Sequence, residues 1–309
     1  MAERALSQTR AVATAWLSPI DRITLVYCAW IVLYTLIGTL LGRAVDPDVH
    51  VARFVSIIAA ILLAAWLEHS YRGRREAWWF RALRFMRGIY PVLLYSYFYL
   101  SLYSVTLIVF TDWLDPWFYG IDHWLFGYYP SLVWAQKWDH WLVQEFFHLA
   151  YFCYYPMIAG LPLYLYFKNR KAFQALIFDL TFVFYACYFF YSLVPVIGGR
   201  YFPEAFQLAH AYRLGPFTRL MAFIYNNTHH WGGAFPSSHI AVAIVLTISA
   251  FRYLGKWGYL FAVVTLFLSV STVYRHYHWF IDAVAGVVTG FAGYYAAESV
   301  RRTMLHEVR

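Results

Sequence analysis

The chain has 309 residues, of which 62% are hydrophobic, 22% aromatic and only 13% charged. A soluble domain carries about 25% charged residues, so a water-soluble globule of this composition would need a core of implausible size. The formal net charge of +8 does not point to nucleic acid, because Lys and Arg collect in the cytoplasmic loops of membrane proteins and account for the excess.

A helix needs about 20 predominantly apolar residues to cross a hydrocarbon core about 30 Å thick. Eight stretches of that kind are predicted, at 22–42, 52–68, 89–111, 141–167, 172–195, 237–254, 257–274 and 280–299. Ahead of them, Arg4, Arg10 and Pro19 interrupt the N-terminal segment, and no compact apolar stretch with a cleavage site is found there, so no secretory signal peptide is expected. Residues 72–87, with six arginines among Trp78, Trp79, Phe80 and Phe85, read as a basic interfacial helix on anionic lipid or as a plain solvated connector. Residues 112–140 are rich in Trp, Tyr, Gly and Asp. They are too polar to span and read as an interfacial segment. Cys28, Cys153 and Cys187 lie inside apolar stretches and read as small buried hydrophobes, so no disulfide framework is expected. With no repeat and no linker, the expected organisation is one membrane domain over 1–309, an all-α polytopic bundle of about eight spans.

Basic residues give an orientation. With the N-terminus inside, 17 of the 24 Lys and Arg fall on inside segments and 7 on outside ones. That asymmetry supports cytoplasmic termini and an even number of spans. It places the loop 196–236 and the junction near 275–280 on the outer face.

The polar chemistry lies at those two places. In Ala234-Phe235-Pro236-Ser237-Ser238-His239, a proline and two serines open a long apolar helix, as such residues do at helix starts. The free N–H groups and dipole of a first turn bind anions, and His239 sits on that turn. An ordinary capped helix end is the plainer alternative. In the second segment, His278 and Asp282 are four apart and would share a helix face. A carboxylate against one imidazole nitrogen fixes the tautomer and raises the basicity of the other, as a histidine nucleophile requires. Asp282 also stands at the mouth of an apolar span, where ionisable groups are costly. A structural buried pair is the alternative.

Gly233 to His239, followed by His278 and Asp282, resembles the signature of the type 2 phosphatidic acid phosphatase superfamily, over about residues 110–300. Two upstream segments, 121–127 and 195–201, resemble the branch that contains the inositol phosphorylceramide synthases. The resemblance implies a six-helix phosphatase-like core over 111–300 behind N-terminal spans over 1–110. It implies attack on phosphorus by His278, orientation of His278 by Asp282, and protonation of the leaving oxygen by His239. Ser237, Ser238 and Gly233 would line the phosphate site, and Arg200 would stand in for an upstream basic clamp, where the hydrolases usually carry a lysine and an Arg-Pro pair. The substrate implied is a lipid phosphate or phospholipid in a bilayer, with no cofactor and no metal.

One departure shifts the expected reaction. The hydrolases place an arginine six residues before the nucleophilic histidine, and this chain has Thr272 there, as the synthase branch does. Arg275 is expected to replace that guanidinium in part, from a shared face with His278 and Asp282. Glu145 and His148, with Tyr201, are candidate contacts for a headgroup or an acceptor hydroxyl, although helix–helix polar contacts are the plainer reading. The expected activity is headgroup phosphotransfer through a phosphohistidine. The alternatives are hydrolysis of a lipid phosphate and, from a different class, a transporter with charges at the midplane of its spans. The active-site face would be periplasmic or extracellular in one setting and lumenal in another. In the lumenal case Asn226-Asn227-Thr228 would be a glycosylation sequon. His229-His230 on the outer loop resemble metal ligands, but adjacent histidines rarely share one metal, and none is assigned.

Overall fold

A computed structural model describes residues 16–199, 215–226 and 231–306. Every regular element among them is a helix. α1 (Pro19–Leu40) begins at a capping box in which Ser18 accepts the Asp21 N–H at 3.2 Å and Asp21 accepts the Ser18 N–H at 2.8 Å. α2 (Pro47–Ser70) and α3 (Trp78–Ser101) follow. α3 runs unbroken through Pro91, which corrects the sequence reading. The second half of the basic segment and the first half of the predicted third span are one helix, and the chain leaves it at a 3-10 turn, Leu102–Ser104, well before residue 111. Arg87 is not a lipid-facing charge. It pairs with Asp21, which is fully buried, and with Glu68, because a carboxylate withdrawn from water needs a partner. This arginine ties α1, α2 and α3 together.

α4 (Asp115–Phe126) and α5 (Pro130–Lys137) are short helices within the segment read as interfacial. The predicted fourth span is two pieces, α6 (Trp141–Phe152) and α7 (Tyr154–Lys168), that meet at Cys153. α8 (Arg170–Leu193) is the centre of the bundle: 72% of its most apolar window is buried, against 22–44% for the other apolar stretches. α9 (Pro216–Asn226) is amphipathic and short. α10 (Ser238–Leu254) and α11 (Gly258–Tyr274) pack against each other across a 3-10 turn, Gly255–Trp257. α12 (Phe280–His306) continues beyond the predicted end at 299.

Among the described residues, six helical stretches are long and apolar enough to cross a membrane: Pro19–Leu40, Pro47–Ser70, Trp141–Lys168, Arg170–Leu193, Ser238–Tyr274 and Phe280–Met304. The molecule is a multi-pass integral membrane protein. Ser238–Tyr274 is a hairpin of α10 and α11, each 17 residues and so about 25 Å long at 1.5 Å per residue. α3, rich in tyrosine and carrying Arg81, Arg84 and Arg87, is not among the six.

Two features of the packing position the site. α12 lies against α8 and α10, and it meets α10 at small residues. A Cβ on Gly286 would come within 2.7 Å of the Ser237 carbonyl oxygen, and one on Gly290 within 3.0 Å of Ala241 Cα. Such spacing lets two helix backbones approach closely. At the opposite end of α12, Arg301 holds the buried Asp179 of α8 at 3.0 Å.

Candidate active site

The start of α10, the α11–α12 connection, the chain leaving α8 and the short α4 converge at one end of the bundle. Ala234 N–H donates to Val196 O at 3.0 Å, and Leu114 N–H donates to Pro195 O at 2.9 Å. Gly198 has φ +93°, and a Cβ there would sit 2.5 Å from the Tyr277 carbonyl oxygen. Only glycine allows the loop after α8 to press so closely on the connection that carries His278.

That connection is a helix stop followed by a helix start. α11 ends in a Schellman motif: His276 N–H donates to Val273 O at 3.0 Å, and Tyr277 N–H donates to Thr272 O at 2.9 Å. The left-handed position of the motif, usually glycine, is His276 at φ +62°, a conformation that costs a side-chain-bearing residue roughly 1–2 kcal/mol. His278 N–H also donates to Thr272 O, at 3.0 Å. The main chain of Thr272 therefore closes the turn, while its hydroxyl donates back to Ser269 O at 2.8 Å.

α12 then begins at Phe280. Asp282, in its first turn, accepts the Trp279 N–H on Oδ2 at 2.9 Å, which is half of a capping box. The same Oδ2 lies 3.7 Å from His278 Nδ1. The two groups are close but not hydrogen-bonded through Nδ1, and the shared helix face expected from the sequence is absent. His278 precedes α12, and Arg275 is the residue that ends α11, so residues 275, 278 and 282 do not stack on successive turns.

His239, on the first turn of α10, faces His278 with ring centroids 6.4 Å apart. The rings of Tyr151 and Tyr154 lie tilted against His239, with centroids 5.0 and 4.6 Å away, and pack it from the α6–α7 side. His278 is buried, and burial, with His239 nearby, pushes it down from its ordinary 6.5 to about 3, the Ala234 carbonyl acting weakly in the opposite sense. A neutral imidazole is the nucleophilic form.

Ser237 is the N-cap of α10, and its hydroxyl is fully buried without a hydrogen-bond partner. Its N–H donates to Asp282 O at 3.1 Å, which joins the two halves of the site. Ser238 N–H is taken by the Tyr191 hydroxyl at 3.1 Å. Gly233, at φ +76°, lets the chain pass Tyr99. The arrangement leaves an uncapped helix start and a free serine hydroxyl beside two facing imidazoles, which suits a tetrahedral anion.

Two carboxylates that the sequence reading gave no role hold this end together. Asp122 on α4 accepts the N–H groups of Phe280 and Ile281 at 2.7 and 3.0 Å. It occupies the first turn of α12 as a protein-borne anion would. Asp115 accepts from Ile197 N–H, Gly198 N–H and the Trp279 indole at 2.9, 2.9 and 2.8 Å. Burial pushes both carboxyls up from 3.8, and the donated hydrogen bonds act against it. The available signal was Asp122 inside the motif 121–127; Asp115 lies in the segment read only as interfacial.

The remaining candidates are less central. Glu145 is buried and accepts from Phe217 N–H and Thr218 N–H at 2.8 and 3.1 Å and from the Thr218 hydroxyl. The structure thus gives it the task of capping α9. His148 is buried with neither ring nitrogen hydrogen-bonded, and Arg275 lies within electrostatic range of it and of His276. The guanidinium of Arg275 also sits 5.9 Å over the Tyr274 ring. Arg200 and Tyr201 lie outside the described residues, as do the His229-His230 pair and most of the sequon.

A half-buried His239 facing the buried His278 and Asp282 lies at one end of an apolar helical bundle. The chain matches the PAP2 superfamily over residues 116–296 and belongs to it. That is a family of phosphatases and phosphotransferases, and the match spans α4 to most of α12. A PA-phosphatase related-family protein of Dictyostelium discoideum is 31% identical over 55 residues, which cover 18% of this chain and 10% of that protein. No solved structure matches.

Proposed function

We propose that this protein is a membrane lipid phosphotransferase, which moves a phosphate-bearing headgroup from one lipid to another through a phosphohistidine on His278. The observation that carries the reading is the facing of His239 and His278 at 6.4 Å, with Asp282 behind Nδ1 of His278 at 3.7 Å. Asp282 addresses Nδ1, so Nε2 is the attacking atom. Its lone pair forms the P–N bond while the P–O bond to the departing lipid alcohol breaks, and His239 gives that oxygen its proton. An acceptor hydroxyl then attacks phosphorus, His239 takes the hydroxyl proton, and the P–N bond breaks. The buried Ser237 hydroxyl and the start of α10 hold the phosphoryl oxygens, with Arg200 and Arg275 as the cationic groups of the site.

Transfer is favoured over hydrolysis by Thr272 and by the motifs at 121–127 and 195–201, which resemble the inositol phosphorylceramide synthase branch. Burial of His278 and Ser237 supports it too, because a water-poor site protects a reactive intermediate from hydrolysis. The excess of basic residues on the opposite end supports an even number of crossings, with both termini cytoplasmic and the histidines on the outer face. The test supplies purified protein with a labelled phospholipid donor, with and without a lipid alcohol. Label moving into a new lipid only when the alcohol is present, and not at all with His278→Ala, is the expected result. Free phosphate release that ignores the alcohol would make the protein a lipid phosphatase instead.

A further inference from the structure

An apolar groove of about 460 Å³ runs along the flank of α7. Cys153, Gly160 and Tyr164 form one wall, and Phe261 and Val264 of α11 belong to the other. Its upper end adjoins the reaction site, since Cys153 lies between Tyr151 and Tyr154 in the chain, and both of those rings pack tilted against His239, at 5.0 and 4.6 Å. From Cys153 to Tyr164 the helical rise amounts to about 16 Å. That is the depth of one leaflet of a hydrocarbon core about 30 Å thick. Gly160 stands part-way down, and a Cβ built on it meets nothing within 4 Å.

We propose that this groove seats the hydrocarbon chain of the lipid whose phosphate lies between His239 and His278, and that the open space at Gly160 sets the length of chain the enzyme accepts. The proposal rests on reading the site as one for lipid phosphates. Bilayer tails are as apolar as the groove, so seating a chain there adds little affinity. Its effect is positional. A chain that fits carries the phosphate to the depth of the two imidazoles, and one that is blocked lifts or tilts the headgroup. A misplacement of about 1 Å costs roughly a hundredfold in rate.

Two measurements test this in phosphatidylcholine vesicles containing the full chain. The first uses a lipid phosphate carrying a photoreactive group midway along its chain. Label is expected on 153–164 and 254–264, competed away by unlabelled lipid phosphate and lost in Gly160→Phe. Label spread over all lipid-facing helices and indifferent to Gly160→Phe overturns the proposal. The second compares kcat/KM for short- and long-chain lipid phosphates in Gly160→Ala and Gly160→Phe. The phenylalanine variant should lose at least about tenfold on long chains, within the range that fit in an apolar pocket decides, and keep its short-chain activity. An unchanged chain-length profile in an active Gly160→Phe protein also overturns it. Specific groove labelling without turnover of any lipid phosphate would uphold the groove and defeat the reaction proposed for the site.

Discussion

His239 sits on the first turn of α10 and His278 just before α12, so their separation depends on how closely α10 and α12 pack. Gly286 is the residue that permits it. An alanine there would place its Cβ 2.7 Å from the Ser237 carbonyl oxygen, 2.9 Å from Ser237 Cβ and 3.2 Å from Ile240 Cβ. The nearest of these is backbone, which no rotamer change can relieve. Restoring ordinary contact moves the start of α10 away from α12 by about 0.7 Å, and His239, two residues beyond Ser237, moves with it. If a 1 Å error in the position of a catalytic group costs about 10²-fold, Gly286→Ala should lower kcat by roughly 10- to 100-fold. Overpacking should cost about 1–3 kcal/mol, a drop in Tm of several degrees in a protein of this size. The assay is single-turnover phosphoryl transfer in detergent or nanodiscs, with Gly120→Ala as a control, because a Cβ at Gly120 meets nothing within 4 Å. Wild-type turnover by Gly286→Ala would refute the claim that this helix contact sets the register of the site.

Three further outcomes follow from the geometry. Asp282→Asn keeps an acceptor for the Trp279 N–H but removes the charge 3.7 Å from His278; a charge at that range is worth about 4 kcal/mol at an effective dielectric of about 20, so kcat should fall about 10³-fold with KM and Tm little changed, and a loss of only a few fold contradicts the role given to Asp282. Asp122→Ala strips two N–H groups at the start of α12 of their acceptor; a loss of about 1–3 kcal/mol in stability is expected from thermal unfolding, with kcat reduced alongside it, and an unchanged Tm would count against the carboxylate as the clamp. His276 and His278 are both held near 3 against an ordinary 6.5. Between those values the unfolded chain binds protons that the folded chain refuses, so the stability they contribute is full above about 6.5 and is lost as pH falls toward 3. Tm should therefore decline through that window, and less steeply in His276→Gly; a flat profile would mean that the folded histidines titrate normally.

Much of the bundle was legible because long apolar stretches and turn residues carry strong local signals. The helix start at Pro236, Ser237 and Ser238 is written in one short segment. The pairing of His278 with Asp282 was legible for the wrong geometric reason. Their spacing suggested one helix, whereas a turn centred on His276 separates α11 from α12. The signal that usually marks such a turn is glycine at the left-handed position, and histidine stands there instead. The basic residues around Arg87 misled in a related way: their partners, Asp21 and Glu68, are 66 and 19 residues away in sequence. Asp115 and Asp122 were hidden for the same reason, since what they hold lies more than 80 residues further along the chain. Long-range capping has no sequence period, so only the folded chain reveals it.

In the mechanism proposed, His278 becomes covalently phosphorylated. Quenching the reaction with a phosphate-labelled donor, in the absence of acceptor, should leave acid-labile label on the peptide containing His278. The label should be absent in His278→Ala, accumulate in His239→Gln when the leaving group is already a good one, and discharge onto an added lipid alcohol. Full turnover with no label on that peptide, or turnover surviving His278→Ala, would contradict the account.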